Sequence, residues 1–380
     1  MSPVLINLFS LSPSDLGFMT SVYLIAFGAT QFPLGVLLDR YGARKTLAPM
    51  MFFSVAASLI FAGSQNMAHL ILSRTLMGIG MSGCLMAAFK AYAEWLPTER
   101  LPIVYSMESL MGGLGGMVAT KPIAIAFTMF SWRFCYIIFA ALTLCISVLV
   151  WVMVPQKDEK TISSTSDSVF TLFYKMIGFF GDRRFWFVAP IVAVGDSVMF
   201  TYLYLWIGPW LRDVAMFDEN VTGTFMMFVF AGAAAGYFLN GVIAEYFQKK
   251  HWLSWEQIYL YSGAMLSILL AIIAFDNGRT SAPLWGVVMF FTTMTMIAFP
   301  ITRRLYDSTE VGRALALINF LIFLVSFVFQ WFIGVVLEFF PIVNGHFSPE
   351  GYRLSLAVIA SLNALATLNF YFRLKNQNKY

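Results

Sequence analysis

Long apolar runs separated by short polar stretches set the pattern of this chain. Eleven such runs occur, at Leu16–Leu38, Leu47–Gly63, Met67–Ala93, Pro102–Met129, Phe134–Val154, Phe185–Leu211, Val221–Phe247, Ile258–Phe275, Ala282–Ile301, Ala314–Phe340 and Leu354–Leu374. A helix rises 1.5 Å per residue, so about 20 apolar residues cross a hydrocarbon core of roughly 30 Å. Each run therefore reads as a membrane-spanning helix, and the pattern predicts an all-α membrane protein with eleven spans.

Between the fifth and sixth runs lies the one long polar stretch, residues 156–167. It continues into 169–180, where Phe170, Phe173, Met176, Ile177 and Phe180 recur at helical spacing, the mark of an amphipathic helix lying at the membrane interface. The chain thus divides into a first helical half over residues 1–153, a cytoplasmic linker over 154–183 and a second helical half over 184–380. Composition agrees with the span count. With 59% hydrophobic and 12% charged residues, the chain has too little polar surface to cover a soluble particle of 380 residues. The net charge of +4 comes from loops and forms no basic face, so no nucleic-acid partner is expected. Cys84, Cys135 and Cys145 lie inside apolar runs, at spacings that suit neither a zinc site nor a disulfide framework. They read as small core residues, and no metal or cofactor is expected.

Cation placement gives the orientation. Alternating the spans from a cytoplasmic position for Arg40–Lys45 puts eighteen of the 24 Lys and Arg on the cytoplasmic side and four outside, with Arg74 and Lys121 embedded. This bias follows the positive-inside rule and places the C-terminus in the cytoplasm. Met1 then falls outside.

The stretch Gly35-Val36-Leu37-Leu38-Asp39-Arg40-Tyr41-Gly42-Ala43-Arg44-Lys45 is a basic, glycine-hinged turn between two spans. Asp39 ends the first span, Gly42 lets the chain turn, and Arg44 and Lys45 stand where cytoplasmic cations belong. By itself this is a positive-inside loop with a turn glycine. Its residues also match the pattern G-x-L-x-D-R-x-G-x-R-K of the loop between helices 2 and 3 of the major facilitator superfamily. On Gly35, Leu37, Asp39, Arg40, Gly42, Arg44 and Lys45 the chain resembles that family. The resemblance implies two six-helix halves, clamped on the cytoplasmic side by the aspartate and the basic residues and released as the transporter changes state. Gly241 to Lys250, with Glu245 in the acidic position, repeats the glycine, acid and cation order in the second half. Arg74-x-x-x-Gly78-Ile79-Gly80 is similar to the family's helix 4 motif, which implies a buried arginine linked to proton transfer. Leu205 to Val214 is similar to the end of helix 7 in one bacterial group. The Gly-Pro-x-x-Gly-Gly signature of drug antiporters is absent, which argues against multidrug efflux. Five spans face six, so the first half is short of one helix. Val4–Leu11 is then the tail of helix 1, and the expectation is a sequence that starts late or a truncated gene.

Chemistry is sought among groups ionisable at membrane depth, because each costs ~2.5–3.5 kcal/mol at a helix centre by insertion scales. Arg74, Glu108, Lys121 and Asp196 qualify. Lys121 and Asp196 fall at depths from which both could face one central cavity. The structural alternatives are a buried ion pair or a lysine snorkelling to the interface. Glu108 lies near the cytoplasmic rim, where a carboxylate is readily hydrated. Tyr202, Tyr204 and Trp206 are candidate substrate contacts. Gly112, Gly113, Gly115 and Gly116 read as a helix-packing seam. His69, His251 and His346 fall in loops. No H-E-x-x-H occurs, and Asp196 follows Gly195 without the second glycine of a membrane aspartyl protease, so an intramembrane enzyme is not supported. The reading is a monomeric secondary transporter of the bacterial inner membrane, moving a small anionic or zwitterionic metabolite by alternating access and coupled to protons. Export of an amphiphile, or a non-transporting sensor, are the alternatives.

Overall fold

The computed structural model describes residues 2–97, 100–155, 177–276, 278–307, 310–342 and 345–377, apart from the side chains of residues 2, 3, 7, 102, 105, 106, 109, 110, 121, 124, 128 and 377. The amphipathic linker helix expected over 169–180 falls mostly outside the described residues; its end is a short turn of 3₁₀-helix, Gly178–Gly181. The helices are α1 (Ser2–Phe9), α2 (Pro13–Ala62), α3 (Met67–Met81), α4 (Cys84–Trp95), α5 (Leu101–Val118), α6 (Lys121–Met129), α7 (Trp132–Met153), α8 (Phe185–Val198), α9 (Ile207–Asp213), α10 (Glu219–Lys249), α11 (Trp255–Phe275), α12 (Leu284–Met294), α13 (Ala298–Leu305), α14 (Val311–Glu338) and α15 (Pro349–Gln377).

Among the described residues nine helical stretches are long and apolar enough to cross a membrane. One of them, α2, joins two helices across Gly42, whose φ of 75° and ψ of 173° are not helical. The predicted run 102–129 is built as α5 and α6, so the arrangement is compatible with eleven spans. This is a multi-pass membrane protein. The break between α5 and α6 has a local cause: Pro122 cannot donate to the carbonyl of Val118 four residues back and its ring crowds it, and α5 ends at Val118. Lys121 therefore heads a new helix.

Helix starts follow capping chemistry. At the head of α2, Ser12 and Asp15 exchange hydrogen bonds at 3.1 Å each, with Pro13 in the first turn. Asn66, Ser131, Asp218 and Ser254 each accept from a backbone N–H of the helix they precede. The first of these caps puts His69 inside the first turn of α3, where a loop was expected from the sequence.

The chain forms two compact units, one of Met1–Ser10, Met19–Glu108 and Ile125–Gly178, the other of Leu11–Phe18, Ser109–Ala124 and Phe179–Tyr380. In the first unit, α3 lies close on α2, because Gly78 meets the backbone of Tyr23 and Phe27 and Gly80 meets Ser54. Ser73 donates to the Ala57 carbonyl at 2.7 Å, and Ser147 of α7 to that of Ala48 at 2.9 Å. In the second unit Gly232 of α10 meets Gly286 of α12 backbone to backbone. Between helices already surrounded by apolar lipid, close van der Waals contact and interhelical hydrogen bonds supply the association energy, and small residues permit both. Of the cysteines, Cys135 is buried and Cys84 partly so, but Cys145 is exposed on α7. A span that is apolar all round does not tell a core face from a lipid face by hydropathy.

Gly42 occupies a φ/ψ region open almost only to glycine. Gly42→Ala is expected to destabilise the protein by about 1–3 kcal/mol, measured as a lower midpoint of thermal unfolding in detergent. Gly35→Ala, with no atom within 4 Å of the added carbon, should leave it unchanged.

Candidate functional site

In the first unit the glycine-hinged stretch is a packed corner. Leu34, Leu38, Ala43, Met50 and Ala87 form a buried cluster about the bend at Gly42. Asp39 accepts a hydrogen bond from Lys90 Nζ of α4 at 2.6 Å, and Lys90 also stands 3.9 Å from Glu94. The Asp39 side chain is 64% exposed, so the pair is worth no more than about 1 kcal/mol. Arg40 lies over the ring of Tyr41 at 5.4 Å and Arg44 over that of Trp151 at 5.0 Å, while Lys45 is partly exposed. Lys90 was not marked from the sequence as a partner of Asp39; 51 residues separate them, and only the packing of α4 on α2 joins them.

Deeper in this unit, Arg74 of α3 lies 5.1 Å over the ring of Phe61, which is fully buried. Phe61 stacks on Tyr136 at 4.2 Å and meets Trp132 edge-on. The Arg74 Nε has no hydrogen-bond partner. A guanidinium seated on an aromatic face is partly stabilised there by the ring. Glu108 of α5 is partly buried, with Oε2 unpaired, and lies within electrostatic reach of Cys84 and Tyr92 on α4.

The second unit holds a fully buried carboxylate. Its most enclosed span is Phe185–Asp213, with 78% of its apolar window buried against 22% for Glu219–Lys249. Asp196 sits in that span with no exposed surface, and neither of its carboxylate oxygens has a partner. An unpaired carboxylate at that depth is costly when charged and stable when it holds a proton. Tyr204 and Tyr237 lie within its electrostatic reach. Just beyond, Met199–Trp206 winds as π-helix and not as the plain α-helix the apolar run suggests. Trp206 is fully buried, its indole donating to the Gln330 carbonyl at 3.0 Å. Tyr202 is enclosed against Trp285, ring centroids 4.8 Å apart, with its hydroxyl unpaired. Tyr204 is 59% exposed and meets Phe230 edge-on. Lys121 belongs to this unit as well, and its side chain lies outside the described residues.

The four glycines of α5 differ from one another. A carbon added at Gly116 would come 2.8 Å from the Phe230 ring of α10, one at Gly113 would make an ordinary 3.6 Å contact with Ala234, and Gly112 and Gly115 face open space. Glu245 is exposed and pairs along its own helix with Lys249, whereas Asp39 reaches across to a neighbouring helix. The repeated pattern thus has two different geometries.

Several residues that organise the second unit are neutral and escaped a search confined to ionisable groups. Asn240 of α10 donates to the Phe290 carbonyl and to Thr293 of α12, Asn363 of α15 to the Gly263 carbonyl and Ser267 of α11, and Gln330 of α14 to the Phe200 carbonyl. Amides inside apolar runs were the available signal. Next to the end of the linker, Asp182 accepts from the backbone and guanidinium of Arg184 and from the Tyr306 hydroxyl at 3.0 Å. Arg184 also lies 4.4 Å over the Tyr306 ring and 3.7 Å from Glu310. At the other end of the same spans, Asp213 accepts from Tyr352 at 2.8 Å and pairs with His346 at 2.9 Å. Among the described residues no three His, Cys, Asp or Glu side chains gather as metal ligands.

Comparison with known proteins gives a consistent family. Residues 1–330 match the model of the Major Facilitator Superfamily. The hexuronate transporter of Bacillus subtilis is 24% identical over 375 residues, 93% of this chain and 85% of that protein. The probable L-galactonate transporter of Escherichia coli is 21% identical over 386 residues, 95% and 81% of the two chains. The probable sulfoacetate transporter SauU of Cupriavidus necator is 21% identical over 312 residues, 78% and 67%. Among solved structures, the nucleoside transporter NupG superposes with a TM-score of 0.73 at 13% identity, covering 98% of this chain and 93% of that one, a likeness of fold.

The Asp182 knot gives a pH-dependent expectation. Burial pushes the Asp182 carboxyl up, but hydrogen bonds from Arg184 and Tyr306 outweigh it and hold the carboxyl below the usual carboxylate range. A depressed folded value means that the stabilisation is present above the unfolded pKa and is lost as pH falls through the folded one. Tyr306→Phe should therefore lower stability near pH 7 by ~1 kcal/mol. The difference between the two proteins' melting curves should persist down to the usual carboxylate range and close only as pH falls further, through the depressed folded value.

Proposed function

The chain belongs to the Major Facilitator Superfamily, and on that premise we propose that it carries a small organic anion across the bacterial inner membrane by alternating access, driven by protons bound at Asp196. The observation that carries the reading is Asp196 itself: a carboxyl with no exposed surface and no partner for either oxygen, in the most enclosed span of its unit. Such a group is far less costly neutral than charged. It takes up a proton when access opens on the proton-rich side and gives it up when access switches, provided that water reaches it in turn.

Arg74 supports an anionic substrate. It offers a fixed positive charge seated on Phe61, with a donor left unpaired. A carboxylate or sulfonate meets guanidinium donors in a bidentate pair, a geometry that a neutral solute does not match. The relatives are named as a hexuronate transporter, a probable L-galactonate transporter and a probable sulfoacetate transporter, and each of these solutes is an anion at neutral pH. The Asp39–Lys90 pair and the bend at Gly42 supply a stiff corner at the cytoplasmic end of the first unit. This corner is available to make and break contacts as access alternates. The distribution of cations supports a cytoplasmic C-terminal end of α15.

Two measurements test this. In proteoliposomes with an imposed pH gradient, a panel of labelled sugar acids and small sulfonates should include one that accumulates uphill. Asp196→Asn should abolish that accumulation while retaining counterflow exchange, in which no net proton need move. Full uphill uptake by a well-expressed Asp196→Asn protein removes Asp196 from coupling. For topology, a protease-sensitive tag after Tyr380 should survive in intact spheroplasts and be cut after lysis. Cleavage in intact cells reverses the orientation.

A further inference from the structure

We propose that Gln330 is a positioning residue for transport: it holds Met199–Trp206 in its π register and so sets the direction in which the span beyond Asp196 presents its side chains. The proposal rests on the reading of Asp196 as the coupling acid. Gln330, on α14, is 2% exposed and grips the π segment at both ends. Its side-chain amide donates to the Phe200 carbonyl at 2.9 Å, and its backbone carbonyl accepts the Trp206 indole N–H at 3.0 Å. Gly17 packs against the same stretch of α14: a carbon added there would come 2.5 Å from the Gln330 carbonyl.

A π turn is rare and less favourable than an α turn, and it persists where something outside the helix holds it. The segment itself contains neither glycine nor proline, but Pro209 just beyond it cannot donate to the Leu205 carbonyl and crowds it, which loosens the α ladder there. The register that the loosened segment adopts is then open to contacts from outside. Asn240 and Asn363 also bridge helices, but each joins one α-helix to another. Gln330 instead bonds to a segment with a lower-energy alternative. If that segment relaxed to α-helix, one residue would be drawn out of the bulge. Everything on one side of it would then turn by about 100° relative to the other. Asp196 lies before the π segment, and Tyr204, within its electrostatic reach, lies inside it. The register therefore decides whether acid and phenol face the same way. Within the segment, Thr201 and Tyr202 are buried with hydroxyls that have no partner, so those two side chains add no hydrogen bond that would fix this register.

The test uses the full-length protein purified in detergent and reconstituted. Gln330→Leu keeps the volume and removes the donor. Gln330→Glu keeps a donor only while its carboxyl is neutral. Trp206→Phe removes the second bond and leaves Gln330 in place. Amide hydrogen exchange over residues 200–207 should quicken about tenfold in Gln330→Leu, with α11 and α12 unchanged. Uphill uptake of a labelled hexuronate should fall several-fold and its pH profile should move, while the KM for counterflow stays within about twofold of the parent. Gln330→Glu should regain uptake on the acidic side alone. If Gln330→Leu does not yield folded protein, Trp206→Phe decides with the same two readouts. Unchanged exchange at 200–207, or exchange raised equally through α10 to α15, overturns the positioning role. The two readings fail separately. Uphill uptake retained by Asp196→Asn sinks the coupling reading alone, whereas its loss together with a normal pH profile in Gln330→Leu sinks the Gln330 proposal alone.

Discussion

A polar group carried into hydrocarbon must find its partner inside the protein, because lipid offers none and an unmet hydrogen bond there costs several kcal/mol. That constraint explains the helices, whose backbones satisfy themselves, and it also explains what joins them. Ser73, Ser147, Asn240, Tyr259 and Asn363 each sit in an apolar run and each donate to a backbone carbonyl of a neighbouring helix. Such bonds supply direction where packing against apolar lipid supplies little. Glycines at Gly78, Gly232 and Gly236 bring the backbones near enough for those bonds to form.

Against this background the unmet groups stand out. Asp196 has two oxygens without partners, Arg74 has an unpaired Nε and Tyr202 an unpaired hydroxyl. Asp182 and Asp213 differ from Asp196 in this respect, since each accepts from at least two donors. The same contrast separates the hinges. Asp39 is held across to α4 by Lys90 beside a glycine-only bend, while Glu245 pairs only along its own exposed helix surface. Two stretches with one sequence pattern have thus diverged in structure.

Much of this was legible from residue order. Span positions, the bend at Gly42 and the depth of Asp196 all follow from the length of apolar runs and the cost of breaking them, which are properties of local sequence. The family follows from the residues around Asp39, and the match over residues 1–330 agrees with it. Partners were not legible. Lys90 meets Asp39, and Gln330 meets Phe200 and Trp206, only because helices far apart in sequence pack side by side.

The division has one physical reason. Hydropathy reports the free energy of moving a segment from water into an apolar phase, and that quantity is nearly the same whether the apolar phase is lipid or protein. The sequence therefore determined which segments enter the membrane, where they begin under their capping residues, and which charges go with them. It did not determine which face of each span meets protein, so Cys145 faces outward on α7 and Trp206 is enclosed by α14. The π turn after Asp196 was decided at the same level. Pro209 loosens the α ladder at Leu205, but no residue in Met199–Trp206 specifies a π register, and the side-chain amide bonded to Phe200 comes from a helix more than a hundred residues away.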